Sequence, residues 1–278
     1  MPFYSNDHVK LHYYEYGNGP DILLAFHGFG MRGTQFRVLE SAFSSKYKIY
    51  SFDLFFHGET ELRDSSLSTV RKGLNPQEYG NYIRDFINSL NTDNKKISLL
   101  SYSMGSLMAL SVLENLPESI DSVFFIAPDG FKPNKLLQIG SRNLLINRFL
   151  YKMVYSPKTI NLLLDFILKL KYIDSSLHYI LSNEFKTTET RLAGYNSITY
   201  HAKLSFEQNK IAELLNKNEI NSFFYFGATD ILFPAKIGIG FSKKLKNSKL
   251  MVLQEGHDLV NETLNEIIKL QLQNHDQR

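Results

Sequence analysis

In the stretch Ser101-Tyr102-Ser103-Met104-Gly105, an apolar run, KISLL, gives way to a string of helix formers. A serine hydroxyl is a poor nucleophile until a neighbouring base takes its proton, and that base must be held in one orientation by a third group. Ser103 stands where a strand turns sharply into a helix, a turn that lifts the hydroxyl above a sheet and aims the helix N-terminus at it. The backbone can pass tightly there only if the flanking residues are small, as Ser101 and Gly105 are. Nucleophilic acyl chemistry at Ser103 therefore requires the rest of the chain to bring an imidazole and a carboxylate to the same place.

The elements available for that task alternate. DILLAFHG (21 to 28) and KYKIYSFDL (46 to 54) read as strands, with a helical spacing of Phe36, Leu39 and Phe43 between them. Asn75 as N-cap and Pro76 at the first helical position open a helix carrying Tyr79, Ile83, Phe86, Ile87 and Leu90 on one face. The strand KKISLLS, a helix stopped by Pro117 and the strand IDSVFFIAP follow. Apolar strands alternating with helices predict an α/β protein whose mostly parallel central sheet is flanked by helices on both faces. HVKLHYYEYG alternates in polarity and predicts an antiparallel strand leading that sheet. After Pro128 the rhythm breaks. Leu145, Phe149 and Met153, then Ile160, Leu163, Leu164 and Ile167, then Leu177, Ile180, Leu181 and Phe185 fall at helical spacings, with Asp174 as an N-cap, and no strand interrupts them. Strands resume at INSFFYFGATD and SKLMVLQEGHD, and a C-terminal helix starts near 259. The chain thus divides into a core of residues 1–130 and 205–278 and an inserted helical cap of residues 131–204, whose stripes are expected to pack mainly on one another and on the sheet.

The segment around Ser103 resembles the nucleophile elbow of the α/β-hydrolase superfamily, with Ser101 in place of the usual first glycine. The resemblance extends over nearly the whole chain. FHGFG (26 to 30) is similar to the family's His-Gly-x-Gly loop, which implies that the backbone N–H groups of Phe29 and Met104 form an oxyanion hole. FDLFFHGET (52 to 60) resembles the family's Asp-x-x-Gly-His-Gly-x-Ser stretch, with Phe56 and Thr60 replacing Gly and Ser, and is read as structural, so that Asp53 and His57 stay outside the catalytic set. The carboxylate is implied at Asp230, after the strand FYFG, and the base at His257, after the last strand. The order Ser103, Asp230, His257 is the family's order. Asp129, just after IDSVFFIAP, is an alternative acid, because some members draw their carboxylate from that position. Asp258 is read as a first-turn acid of the C-terminal helix. Tyr102 and Phe29 are candidates to line the pocket. Among the other histidines, His8, His12 and His275 lie near the termini, and His178 and His201 are expected on the cap surface.

The activity so implied is a serine hydrolase of the esterase or lipase kind, acting without cofactor or metal on a small-molecule ester or acyl compound with a medium-sized hydrophobic acyl group, or on an aromatic substrate with negative charge. Carbon–carbon bond hydrolases, peptidases and acyltransferases share the triad, a binding protein can keep the scaffold without the chemistry, and a membrane-surface lipase with cap helices at the interface is a further alternative. The absence of cysteine removes disulfides, Cys-ligated zinc and thiol catalysis together. Residues 129 to 205 hold eleven Lys or Arg against five acids, a local basic excess in a chain of net charge +3. No recognition motif accompanies it, so nucleic acid is not an expected partner. The N-terminus lacks the basic and apolar regions of a secretory signal, which makes the cytoplasm the default compartment. INLLLDFILKLKYI is broken by Asp165, Lys169 and Lys171 and is shorter than the ~20 apolar residues of a spanning helix, so stable membrane insertion is not expected.

Overall fold

The computed structural model describes residues 2–90, 96–131, 143–173 and 175–275. Nine strands form one sheet: β1 (Phe3–Ser5), β2 (Val9–Tyr16), β3 (Asp21–Phe26), β4 (Tyr47–Phe52), β5 (Glu61–Leu62), β6 (Ile97–Tyr102), β7 (Ile120–Ile126), β8 (Asn221–Gly227) and β9 (Ser248–Leu253). Their order is β1-β2-β4-β3-β6-β7-β8-β9, with β5 attached to β2. From β4 to β9 the neighbours are parallel, and β2 joins β4 antiparallel, as the polar alternation of HVKLHYYEYG predicts. Parallel strands put all their C-terminal ends on one edge. The chain leaves β3 toward β4 on one side and later returns to β6 on the other, so a crevice opens above the ends of β3 and β6, where α/β sheets bind ligands.

Both faces of the central strands β3, β6, β7 and β8 are covered, which explains why these are apolar at consecutive positions rather than at alternate ones. Leu24, Phe26, Leu99, Phe125 and Phe224 enter one core, and Leu23, Ala25, Leu100, Phe124 and Phe223 enter the other. The first core is closed by α3 (Pro76–Ser89), α4 (Gly105–Asn115) and α9 (Gln208–Lys217), and the second by α1 (Glu40–Phe43) and α11 (Glu262–His275). Helix α3 begins as expected, with the Asn75 side chain accepting from the Gln77 N–H and Pro76 at its first position.

Three elements depart from expectation. The turn before α1 winds as a 3₁₀ segment, Gly33–Leu39, anchored at its start by the Gly33 N–H on Asp53 Oδ1 and by Ser51 Oγ on the Gly33 carbonyl. Helix α11 starts later than 259, because Asn261 Oδ1 caps it by accepting from the Leu264 N–H; Asp258 therefore precedes the helix. Between β7 and β8 the described chain is helical, in α5 (Leu144–Met153), α6 (Pro157–Lys169), α7 (Ser175–Glu184) and α8 (Thr188–His201). Met153 and Leu164 are buried there, but Leu145, Phe149 and Leu163 face outward, so the apolar stripes pack only in part. Asp174 and the side chains of Leu177 and Ile180 lie outside the described residues. Short helices α2 (Leu67–Lys72) and α10 (Ala235–Ser242) complete the described chain, and none of its helices is long and apolar enough to cross a membrane.

Helix α4 starts directly over the end of β3. A Cβ on Gly105 would stand 2.0 Å from the Phe26 carbonyl oxygen and 2.5 Å from that of His27, both of them backbone atoms with little freedom to move. Gly105→Ala is accordingly expected to cost about 2–3 kcal/mol, seen in thermal denaturation as a midpoint lowered by about 5 °C or more. An unchanged midpoint would mean that the helix can shift away from the strand.

Candidate active site

Ser103 follows β6 with φ of +51°, in the left-handed region that costs a side-chain-bearing residue energy. Its backbone is held there on three sides. The Ser103 N–H donates to the Ile126 carbonyl at 3.0 Å, and its own carbonyl accepts from Ser106 and Asp129 at 3.0 and 3.2 Å. Ser101, at the position of the usual glycine, is fully buried, and its hydroxyl meets Ser106 Oγ at 3.1 Å instead of standing unpaired. The Ser103 side chain is left above the sheet edge, at the start of α4.

His257 reaches this hydroxyl from the loop after β9. Its Nε2 lies 3.1 Å from Ser103 Oγ, and its Nδ1 lies 2.8 Å from Asp230 Oδ2. With Nδ1–H donating to the carboxylate, Nε2 is left as the acceptor for the serine proton. Asp230 is buried, and its other oxygen accepts from the N–H groups of Leu232 and Phe233 at 2.8 and 3.0 Å, so the carboxylate cannot swing away. Tyr102 supports the base from below: its hydroxyl donates to the His257 carbonyl at 3.0 Å, and its ring centroid lies 5.2 Å from the imidazole.

The loop after β3 is fixed with comparable thoroughness. Gly28 and Gly30 donate their N–H groups to Gln35 Oε1 and His57 Nε2 at 3.1 and 3.0 Å. Between them, the Phe29 N–H has no acceptor among the described residues, and neither has the Met104 N–H. Gly28 passes so close to Tyr102 that a Cβ would stand 2.7 Å from its ring. His57 donates from Nδ1 to the Phe55 carbonyl at 3.0 Å, and His27 donates from Nδ1 to the Gly28 carbonyl while its Nε2 accepts from the Leu54 N–H. Both imidazoles thus have a settled tautomer, and burial holds both below the usual histidine range, His27 far below it.

Asp53 is the hub beneath this loop. Its carboxylate accepts from the N–H groups of Gly33 and Glu59 at 2.8 and 3.0 Å and meets His12 Nδ1 at 2.7 Å. Thr60 donates its hydroxyl to the Asp53 carbonyl and accepts from the His12 N–H, which ties the two residues together through the backbone. Phe56, standing where a glycine is usual, keeps the left-handed backbone at φ +65°.

The alpha/beta hydrolase fold model matches residues 21–263. This chain belongs to the α/β-hydrolase fold family. Among solved structures, a thermophilic esterase from Thermogutta terrifontis superposes with a TM-score of 0.71 at 14% identity, covering 96% of this chain and 94% of the other. A hydrolase from Oleispira antarctica superposes at 0.65 with 20% identity over 96% and 94% of the two chains. A structure from a study of carboxylesterases of Nitrososphaera gargenis superposes at 0.68 with 15% identity over 99% and 98%. At such identities the likeness is one of fold. No curated protein matches the sequence.

Of the two acids considered in this hydrolase-fold chain, Asp230 meets the imidazole and Asp129 does not. Asp129 turns its carboxylate to the Gly130 N–H at 2.6 Å, and burial pushes its pKa up to about 6, against the opposing pull of that hydrogen bond and of His257. Phe29 lines a cleft of about 160 Å³ together with Phe56, His57, Glu184 and Phe185; Tyr102 is not part of its wall. Burial raises the Glu184 pKa, and Arg32 draws it down. Two histidines lie elsewhere than sequence position suggests. His12 is fully buried on Asp53, and His201 is buried on α8, with Nδ1 donating to the Ser197 carbonyl at 2.8 Å and Nε2 lacking a partner among the described residues. Burial pushes the pKa of His201 down to about 3. The sequence pattern carries no sign of either burial: His12 shares its strand face with Lys10 and Tyr14, and the helix that carries His201 has no distinct apolar face.

His27, His57 and His201 are therefore neutral in the folded protein but protonate below about 6.5 when unfolded. Their depressed values stabilise the fold above pH 6.5, and that contribution is lost progressively as pH falls. For His201 the loss between pH 6.5 and 5 is about 2 kcal/mol. The stability of His201→Gln, followed by urea denaturation across this window, is expected to fall by that much less than that of the wild type. Parallel pH curves for the two proteins would contradict the assignment.

Proposed function

We propose that this protein is a serine hydrolase of the carboxylesterase or lipase type, with Ser103 as nucleophile, His257 as general base and acid, and Asp230 as the residue that orients the imidazole. The observation that carries the reading is the continuous hydrogen-bond chain from Ser103 Oγ through His257 to Asp230, at 3.1 and 2.8 Å, built on a serine in a strained strand-to-helix turn. As Ser103 Oγ attacks the acyl carbon, its proton passes to His257 Nε2, and the imidazolium that forms is stabilised by Asp230. The Phe29 and Met104 N–H groups receive the negative charge on the carbonyl oxygen, each worth about 10²–10³ in rate in comparable sites. His257 then returns the proton to the departing alkoxide. A water molecule, deprotonated by the same nitrogen, cleaves the acyl-serine and restores the hydroxyl.

Helices α5 to α8 act in this reading as a cap, an insertion that shapes the acyl pocket. Phe29, whose N–H is one of the oxyanion donors in this reading, also lines a cleft with Phe56 and Phe185 beside Arg32, His57 and Glu184. The walls of that cleft do not include Ser103 or His257; its apolar rings favour a hydrophobic acyl or ester substrate.

A chromogenic ester series of increasing acyl length tests the assignment. Ser103→Ala is expected to abolish turnover, and Asp230→Asn to lower kcat by about 10⁴-fold, because the amide favours the wrong imidazole tautomer. Asp129→Asn is expected to stay within about tenfold of the wild type. Equal rates for Ser103→Ala and wild type would remove Ser103 as nucleophile, and an Asp129→Asn loss as deep as that of Asp230→Asn would make the two acids joint partners. The Asp129→Asn protein is further expected to gain thermal stability over the wild type at pH 7.5 and to gain little at pH 4, since a carboxyl pKa raised to about 6 imposes a cost that grows from the ordinary carboxylate range up to about pH 6 and is fully present above it.

A further inference from the structure

Helix α6 runs for 13 residues and buries one side chain, Leu164. Lys158, Leu162, Phe166 and Leu170 follow one another at intervals of four and are all exposed, so they form a single outward ridge. Leu162 and Phe166 are 69% and 57% exposed, values that place whole side chains in water. Leu163 widens the apolar strip, and Lys169 borders it. Helix α5, joined to α6 by residues 154–156, presents the same combination. Its outward Leu145 and Phe149 are 74% and 59% exposed, and Arg148 and Lys152 stand on the same face at spacings of three and four. Scattered apolar residues on a surface need no explanation, but consecutive helices that turn ridges of them outward mark a surface that is covered in use.

Charge selects what covers it. Residues 143–173 contain Arg148, Lys152, Lys158, Lys169 and Lys171 against one acid, Asp165, which is itself engaged by His178 Nε2 at 2.9 Å. A second copy of the same face would bring these cations against one another. An apolar strip bordered by lysine and arginine instead matches a layer whose surface is anionic and whose interior is hydrocarbon. We propose that the exposed face of α5 and α6 docks this protein on an anionic lipid–water interface, with the Leu162, Phe166 and Leu170 ridge lying in the plane of the surface and the basic residues on the head groups. Because no described helix is long and apolar enough to span, the association is peripheral and reversible. It stands apart from the reading of the triad, since docking requires no chemistry.

Flotation of the full chain with vesicles tests it. Binding is expected to vesicles of equal phosphatidylglycerol and phosphatidylcholine, and to be weaker by about tenfold or more on phosphatidylcholine alone or in high salt. Leu162→Ser combined with Phe166→Ser is expected to weaken binding by about tenfold or more, while Lys158→Glu combined with Lys169→Glu removes the preference for the anionic lipid. Both double variants should keep the wild-type melting temperature, because these side chains pack on nothing that folding needs. The proposal fails if the wild type floats with neither vesicle, or if its binding survives both double substitutions. It fails equally if light scattering finds a dimer that the Leu162→Ser and Phe166→Ser pair dissociates, which would make a second copy the occupant.

Discussion

The close approach of helix α4 to the end of β3 governs the geometry of the whole site. Only backbone fits where Gly105 passes the Phe26 and His27 carbonyls, and this contact draws the loop that carries Phe29 and the turn that carries Ser103 to the same spot. The parallel pairing of β3 with β6, in which Phe26 stands opposite Ser101, brings the two ends to the same height. The left-handed backbone of Ser103 follows from this. A turn relaxed into ordinary conformations would lengthen the strand or tilt the helix, and either change would separate the hydroxyl from the imidazole. Strain of this kind persists where the surroundings over-determine it, and here three backbone hydrogen bonds do so.

Around that contact the protein has arranged polar groups whose roles are the reverse of one another. Asp230 and His257 form a chain that ends on the Ser103 hydroxyl, whereas Asp53 and His12 form a buried pair that ends on backbone amides. The residue types are the same; the difference lies in what the second imidazole nitrogen meets. In His257 that nitrogen faces Ser103. In His12 it is enclosed without a partner among the described residues, and in His27 and His57 it is occupied by the Leu54 and Gly30 N–H groups. Neutral, doubly bonded imidazoles are stiff struts, and they hold the Phe29 loop without entering the Ser103–His257–Asp230 hydrogen-bond chain.

The helices between β7 and β8 obey a different rule from the sheet. The central strands β3, β6, β7 and β8 are buried on both faces, so their apolar residues have partners, while α5 and α6 are amphipathic helices that leave apolar ridges facing outward. The polar work inside this segment is done by backbone-directed side chains such as Arg191, which donates to the Val154, Phe185 and Lys186 carbonyls and ties the ends of neighbouring helices together.

What the sequence determined by itself is the part governed by local rules: the strand and helix alternation, the Asn75-Pro76 start of α3, the small residues flanking Ser103, and the position of Asp230 and His257 just after their strands. These follow from periodicity and from the stereochemistry of short turns, both of which act over a few residues. Tertiary structure alone decided which carboxylate the imidazole takes, since Asp129 and Asp230 both follow strands of the same sheet and differ only in where their loops point. It also decided that His12 and His201 are buried, that the Thr60 hydroxyl spans Asp53 and His12, and that Leu145 and Phe149 face outward. Each of these depends on contacts between residues distant in the chain, and helical spacing shows which side chains share a face without showing what that face meets.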